Sequence, residues 1–261
     1  EPVPAMFGRV LRMVDLLRLD FGIFCLHLIL TSLFLAFPLA LRDAGLGVEQ
    51  HGLVYLPVML LSILAMVPFV ILAEKKGKIK FVFVGAILTL VTALISMWWV
   101  GPQLWSLLIG LWVFFSAFNL LEATLPSLLS KVAPADAKGT AMGVYSTSQF
   151  AGAFVGGVLG GLVHQSWGEN AVFMFAALVG IIWLLVALGM RQPGRFSSRL
   201  LQLRVMSGAE ALQVSERLMA IRGVLEAVVV ADEGVAYLKL DRDQIDLSLL
   251  DAFDPDAIAP A

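Results

Sequence analysis

Two ionisable side chains stand in stretches that are otherwise almost wholly apolar: Glu122 in "FFSAFNLLEATLPS" (114–127) and His27 in "FGIFCLHLILTS" (21–32). A carboxylate so placed can hold a cation or exchange a proton, and an imidazole titrates near neutral pH. Nine positions separate Glu122 from Lys131 and nine separate His27 from Arg18, or about 13 Å each at helical rise. Phe115, Asn119, Glu122 and Pro126 follow i, i+4, i+7, i+11, so one stripe of that helix is polar. Tyr145 and Gln149, four apart, share a face of a later segment. Each of these residues has a plainer alternative role, a hydrogen bond that ties two helices together.

What must position them is set by composition. The chain is 59% hydrophobic and 15% charged, and its mean hydropathy is +0.90. A soluble domain carries about 25% charged residues, and a bilayer core takes roughly 20 apolar residues per helical span. Windows of that kind fall at about 20–41, 52–73, 81–100, 104–128, 138–163 and 170–190. A bundle of six transmembrane helices over 20–190 follows, with the lipid bilayer as its solvent. Carboxylates and imidazoles inside such spans are costly and are functional candidates by default.

Charge orients the bundle. With the N-terminus inside, Arg9, Arg12, Arg18, Lys75, Lys76, Lys78, Lys80, Lys131, Lys138, Arg191, Arg195 and Arg199 all fall on the cytoplasmic side, against Arg42 outside. This is a strong positive-inside bias, and it puts both termini in the cytoplasm. Pro57, Pro68 and Pro126 are expected to kink or end their helices. Phe21, Phe24 and Phe34 suit either a hydrophobic pocket or a lipid-facing surface. The single cysteine, Cys25, lies in the first span and forms no disulfide framework. The opening "EPVPAMFGRV" holds two prolines and reads as an extended linker within something longer.

A small-residue face runs through "GAFVGGVLGG" (152–161). Gly152, Gly156 and Gly160 lie four apart, with Gly157 and Gly161 beside them. Small-xxx-small spacing lets two helix backbones approach in lipid, where no hydrophobic force draws helices together.

This glycine spacing resembles the glycine-proline motif g-x-x-x-G-P-x-x-G-G of the major facilitator superfamily. Gly152, Gly156, Gly160 and Gly161 match it, and Gly157 replaces the proline. "VILAEKKGKI" (70–79) resembles the superfamily's loop signature G-x-x-x-D-R-x-G-R-K. Glu74, Lys75, Gly77 and Lys78 match it, whereas Val70 and Ile79 depart. "FNLLEATLPSLLSK" (118–131) and "KGTAMGVYSTSQF" (138–150) resemble the YajR-like drug-efflux branch.

The resemblance implies that the spans are helices seven to twelve of such a transporter and that an N-terminal six-helix half completes it. It implies export of a small-molecule substrate coupled to protons. It also implies a conformational latch at Glu74, Lys75, Gly77 and Lys78; a solvated loop that serves topology only is the alternative. Glu122, Asn119, His27, Tyr145 and Gln149 become candidates for the substrate or proton pathway, and residues 1–19 the remnant of a central cytoplasmic loop.

The chain changes character after the spans. Residues 200–261 carry 5 basic and 11 acidic side chains, net −6, whereas residues 1–199 carry 13 and 9, net +4. After a linker at 191–199, residues 200–255 read as a small cytosolic domain in the order βαββα, an open ferredoxin-like arrangement, followed by a tail at 256–261. "LLQLRV" alternates as a strand, and Ser207 with Glu210 forms a capping box. "DEG" joins two strands as a hairpin turn, and "QIDLSLLDAF" reads as a helix. With neither cysteine nor histidine the domain holds no metal-delivery motif. Its acidity disfavours nucleic acid and anionic lipid, and self-association through a strand edge is open.

Enzymatic signatures such as H-E-x-x-H and G-x-S-x-G are missing, and His27, His51 and His164 are scattered along the spans. No catalytic residue, metal or cofactor is expected. The leading expectation is the C-terminal half of a transporter in the bacterial inner membrane. A membrane-anchored scaffold or sensor, whose working part is the C-terminal domain, is the alternative.

Overall fold

The computed structural model describes residues 4–190, 196–241, 244–251 and 253. Its element order is α1 (Pro4–Val10), α2 (Val14–Asp43), α3 (His51–Lys75), α4 (Ile79–Val100), α5 (Leu104–Val132), α6 (Lys138–Trp167), α7 (Glu169–Leu188), β1 (Phe196–Gln202), α8 (Gly208–Met219), β2 (Val224–Val230), β3 (Val235–Asp241) and α9 (Ser248–Asp251). These elements divide into two compact units. Among the described residues, one comprises 4–129 and 140–190; the other comprises 130–139 and those from 196 onward.

The helical unit holds six helices, α2 to α7, each long and apolar enough to cross a bilayer. They have the expected sequence and spacing, with two differences at the start. Within the opening decapeptide, residues 4–10 are helical rather than extended: Pro4 opens α1, and α2 begins at Val14. Proline is well tolerated in a first helical turn, where its missing N–H has no partner to lose. Nor do the prolines end their helices, since Pro57 and Pro68 lie within α3 and Pro126 within α5.

Large aromatic side chains fill the core of this unit. Trp183, Phe37, Phe83, Phe114, Phe115 and Phe173 are all fully buried. The contact of α6 with α2 is made of glycine: a Cβ at Gly152 would stand 2.8 Å from the Cα of Phe24, one at Gly156 2.7 Å from the Cα of Leu28, and one at Gly160 3.0 Å from the Cα of Ser32. At that separation side-chain hydroxyls reach the opposite backbone, with Thr31 donating to the carbonyl of Ala153 at 3.0 Å and Ser32 to that of Gly156 at 2.9 Å. Gly157 has open space around its Cβ position, and Gly161 meets only Leu35, at 3.8 Å. The second glycine stripe therefore lies off the contact. Helices α3 and α6 are the least covered of the six, each 17% buried over its most apolar window.

The smaller unit is α+β. Its three strands form one antiparallel sheet in the order β1-β3-β2, so β3 is inserted between β1 and β2. That is the topology of a split βαβ unit, with α8 as the crossover. Leu201, Leu218, Val224, Ala236, Leu238, Leu240 and Leu250 form its core. The capping box is present: Glu210 N donates to the Ser207 hydroxyl at 3.3 Å, and Ser207 N donates to Glu210 Oε2 at 2.9 Å. Gly234 closes the β2–β3 hairpin at φ +63°.

Two boundaries of this unit differ from the sequence reading. Strand β1 starts at Phe196, inside the expected linker, and ends at Gln202. Alternation continues through Leu203 and Val205, but pairing stops where β3 begins at Val235. The last helix starts only at Ser248, where the Asp246 carboxylate accepts from Ser248 N at 3.1 Å, and it is one short turn, Ser248–Asp251. Positions 191–195 of the linker and the tail 256–261 lie outside the described residues.

Candidate functional site

Helices α2, α5 and α6 bring three of the candidate side chains to one point. His27 Nε2 lies 3.1 Å from Glu122 Oε1 and 2.9 Å from Gln149 Nε2. The cluster is shielded but not sealed, with side-chain exposures of 14% for His27 and 30% for Glu122. Phe118 walls one side, its ring 6.0 Å from the imidazole, and continues into stacked and edge-on contacts with Phe114 and Phe115.

The geometry poses a question of proton ownership. A ring nitrogen has one in-plane direction, holding either a proton to donate or a lone pair to accept. Protonated, Nε2 donates to the Glu122 carboxylate; deprotonated, it accepts from the Gln149 amide. With the amide turned about, Gln149 presents oxygen and competes with Glu122 for the same N–H. With the amide in its donating orientation, gain or loss of the Nε2 proton changes which helix α2 is bonded to. Such a cluster can store a proton, and with the proton gone it presents a carboxylate to a cation.

Tyr145 sits one turn before Gln149 on α6 and is buried, with its hydroxyl unpartnered. Asn119 does not join the cluster. Its amide donates to the Ser62 hydroxyl of α3 at 2.9 Å, and Ser62 passes the bond on to the Met59 carbonyl at 2.8 Å. Asn119 is thus a tie between α5 and α3.

Sequence reasoning missed Asp20. It is buried within α2, 6% exposed, and neither carboxylate oxygen has a hydrogen-bond partner. Its spacing of seven from His27 was the available signal, since i and i+7 share a helix face.

At the α3–α4 connection Glu74 Oε1 accepts a 2.7 Å hydrogen bond from Ser127 of α5. Gly77 turns the chain at φ +64°, a conformation costly for any residue with a Cβ. Lys75, Lys78 and Glu74 are exposed around that turn. Phe34 packs on Tyr55 and Phe115 with ring centroids 5.9 Å away in each case. A separate apolar cavity of about 300 Å³ lies between α3, α4 and α5, lined by Phe69, Phe81, Trp112 and Leu120 among others.

In the smaller unit, Lys239 of β3 donates to the carbonyls of Val132 and Ala133 at 3.5 and 3.2 Å. The 3₁₀ turn Ala135–Ala137 lies against β2 and β3 in the same unit.

Six helices long and apolar enough to cross a membrane, with a polar cluster where three of them meet, define a membrane-spanning class of protein. The sequence profile of the Major Facilitator Superfamily matches residues 19–224, and the chain belongs to that family. The chain is 45% identical over 240 residues to the inner membrane transport protein YajR of Escherichia coli (strain K12), covering 92% of this chain and 52% of that protein. It is also 32% identical over 139 residues to an uncharacterized transporter of Buchnera aphidicola subsp. Acyrthosiphon pisum, covering 53% of this chain and 36% of that protein. A third relative, an uncharacterized transporter of Buchnera aphidicola subsp. Baizongia pistaciae, is 27% identical over 186 residues, 70% of this chain and 47% of the relative. The chain spans about half the length, or less, of these curated relatives.

Proposed function

We propose that this chain is the C-terminal half of a proton-linked exporter of small molecules in the bacterial inner membrane, working by alternating access. The observation that carries the reading is the meeting of His27, Glu122 and Gln149 from three different helices. Protonation of that cluster selects between a bond to α5 and a bond to α6, so occupancy of a proton is linked to how the helices engage. Alternating access needs a link of this kind, since a ligand shifts a conformational equilibrium only by its differential affinity for the two states.

An N-terminal six-helix half is the natural partner. The chain covers only about half of the relative it matches over most of its length, and α3 and α6 leave most of their surface uncovered. Substrate then binds between the halves near the bilayer midplane. The basic residues set the orientation, with both termini and the smaller domain in the cytoplasm. The Glu74–Ser127 bond, beside the turn at Gly77, acts as a latch on one conformation of the α3–α4 connection.

The test is dye export from inner-membrane vesicles containing this chain together with the six-helix half, with ethidium as the cationic probe and an imposed pH gradient as the driving force. Gradient-driven flux that a protonophore abolishes and Glu122→Gln removes supports the reading. Flux by this chain alone, or flux indifferent to the protonophore, contradicts it.

A further inference from the structure

The apolar cavity between α3, α4 and α5 shares no residue with the polar cluster, and its chemistry differs. Its lining carries no ionisable side chain. The two hydroxyls on its wall are satisfied within their own helices, Thr89 donating to the Gly85 carbonyl at 2.8 Å and Ser116 to the Trp112 carbonyl at 2.7 Å. A polar solute would lose its hydration there without gaining a partner, so the cavity suits an apolar occupant.

Its depth is that of one leaflet. The lining runs from Leu72 to Ala65 on α3 and from Phe81 to Thr89 on α4. These positions lie three and ten residues before Lys75, where α3 ends, and two and ten residues after Ile79, where α4 starts. At helical rise the cavity reaches about 15 Å from the α3–α4 connection, half of a hydrocarbon core about 30 Å thick. A volume of about 300 Å³ spread over that length leaves width for a single hydrocarbon chain. The side of the cavity is open, with Phe81 74% and Trp112 40% exposed, and a Cβ built at Gly85 meets nothing within 4 Å.

The mouth is basic. Lys75, Lys76, Lys78 and Lys80 place four ammonium groups in six positions. Lys80 is turned to α7, where it donates to the Leu188 carbonyl at 3.2 Å, and the one carboxylate beside them, Glu74, accepts from Ser127. Lys76 and Lys78 are exposed. Basic side chains just outside the hydrocarbon region attract anionic headgroups, and basic pockets between helices hold them.

We propose that this cavity is a binding site for an anionic phospholipid of the leaflet next to the α3–α4 connection. One acyl chain lies over Gly85 between Phe81 and Trp112, and the phosphate faces Lys76 and Lys78. The site uses none of the proton chemistry at His27 and Glu122, so it stands or falls independently of the exporter reading.

The test is photocrosslinking of the unaltered full chain in phosphatidylcholine nanodiscs that contain phosphatidylglycerol with a diazirine on one acyl chain. Peptide mapping should place adducts on 81–89 and 112–120, and unlabelled phosphatidylglycerol should suppress them better than added phosphatidylcholine. Lys76→Gln and Lys78→Gln should each weaken that competition about fivefold, from about 1 kcal/mol per lysine at a membrane surface. Gly85→Leu, which fills the recess, should remove the adducts on 81–89. Adducts spread evenly over the six helices, equal competition by the two lipids, or suppression by water-soluble glycerol phosphate overturns the proposal. Loss of the adducts when the six-helix half is added would mean that protein covers the cavity, and overturns it too.

Discussion

The side chains of His27 and Gln149, 122 positions apart in sequence, meet at 2.9 Å across the glycine-lined contact of α2 with α6. The two features depend on each other. Without Cβ atoms at Gly152, Gly156 and Gly160, α6 comes close enough for its amide to reach an imidazole on α2. The packing motif thereby builds the polar cluster.

That dependence separates the glycines by consequence. Gly156→Val should destabilise the bundle and weaken the His27–Gln149 contact, since its Cβ would press on the Leu28 backbone at 2.7 Å. Gly157→Ala should be neutral or stabilise by up to about 1 kcal/mol, the intrinsic helix preference for alanine. Thermal unfolding of the two variants in detergent decides the matter; equal losses would contradict it.

His27 and Glu122 should be energetically coupled. A double-mutant cycle with His27→Gln and Glu122→Gln is expected to give an interaction of about 1.5 kcal/mol, the scale of a hydrogen bond to a charged group. Unfolding measured near neutral pH supplies the four values, and additivity would mean that the pair does not interact.

The smaller domain should respond to acid at the start of α8. Hydrogen bonds from the Ser207 backbone N–H and hydroxyl hold the Glu210 carboxyl below its ordinary value of 4.5. A carboxyl group with a depressed folded pKa adds stability above its unfolded value, and this is lost as pH falls through the folded one. The protection factors of the Glu210 and Ala211 amides should therefore fall as the pH drops below about 4.5, and Glu210→Gln should flatten that dependence. Ser207→Ala should cost about 1 kcal/mol of helix stability at neutral pH.

Lys239 should hold the 130–139 segment to the sheet. Burial pushes its ammonium below the ordinary lysine value, and the nearby Glu226 partly opposes this. The carbonyls of Val132 and Ala133 stand at the C-terminal end of α5, where a helix leaves acceptors for outside donors. Lys239→Met should raise amide exchange across 130–139 while leaving the β1–β3 pairing protected. Unchanged exchange there would mean that the contact contributes nothing.

Much of the architecture was legible because its physics is local. Six apolar windows have one solution in a bilayer, and a four-residue glycine period has one meaning for packing. Ser207 with Glu210 announces a helix start. His27, Glu122 and Gln149 could be singled out because polar residues are rare in such windows. Their meeting could not be derived, because it depends on how three helices rotate about their axes. The same rotation sent Asn119 to Ser62 and buried Asp20. The end of β1 was set by its partner, since the alternation through Val205 outlasts the strand it pairs with.

The central claim, that the cluster exchanges a proton, is tested most directly by ¹⁵N magnetic resonance of the histidine side chains in the full chain held in lipid nanodiscs. His27 is assigned by His27→Gln, and the pH is varied between about 5 and 9. The Nε2 resonance should move between protonated and unprotonated positions over that range, and Glu122→Gln should shift the midpoint. A His27 signal that stays fixed throughout, or one indifferent to Glu122→Gln, would contradict the account.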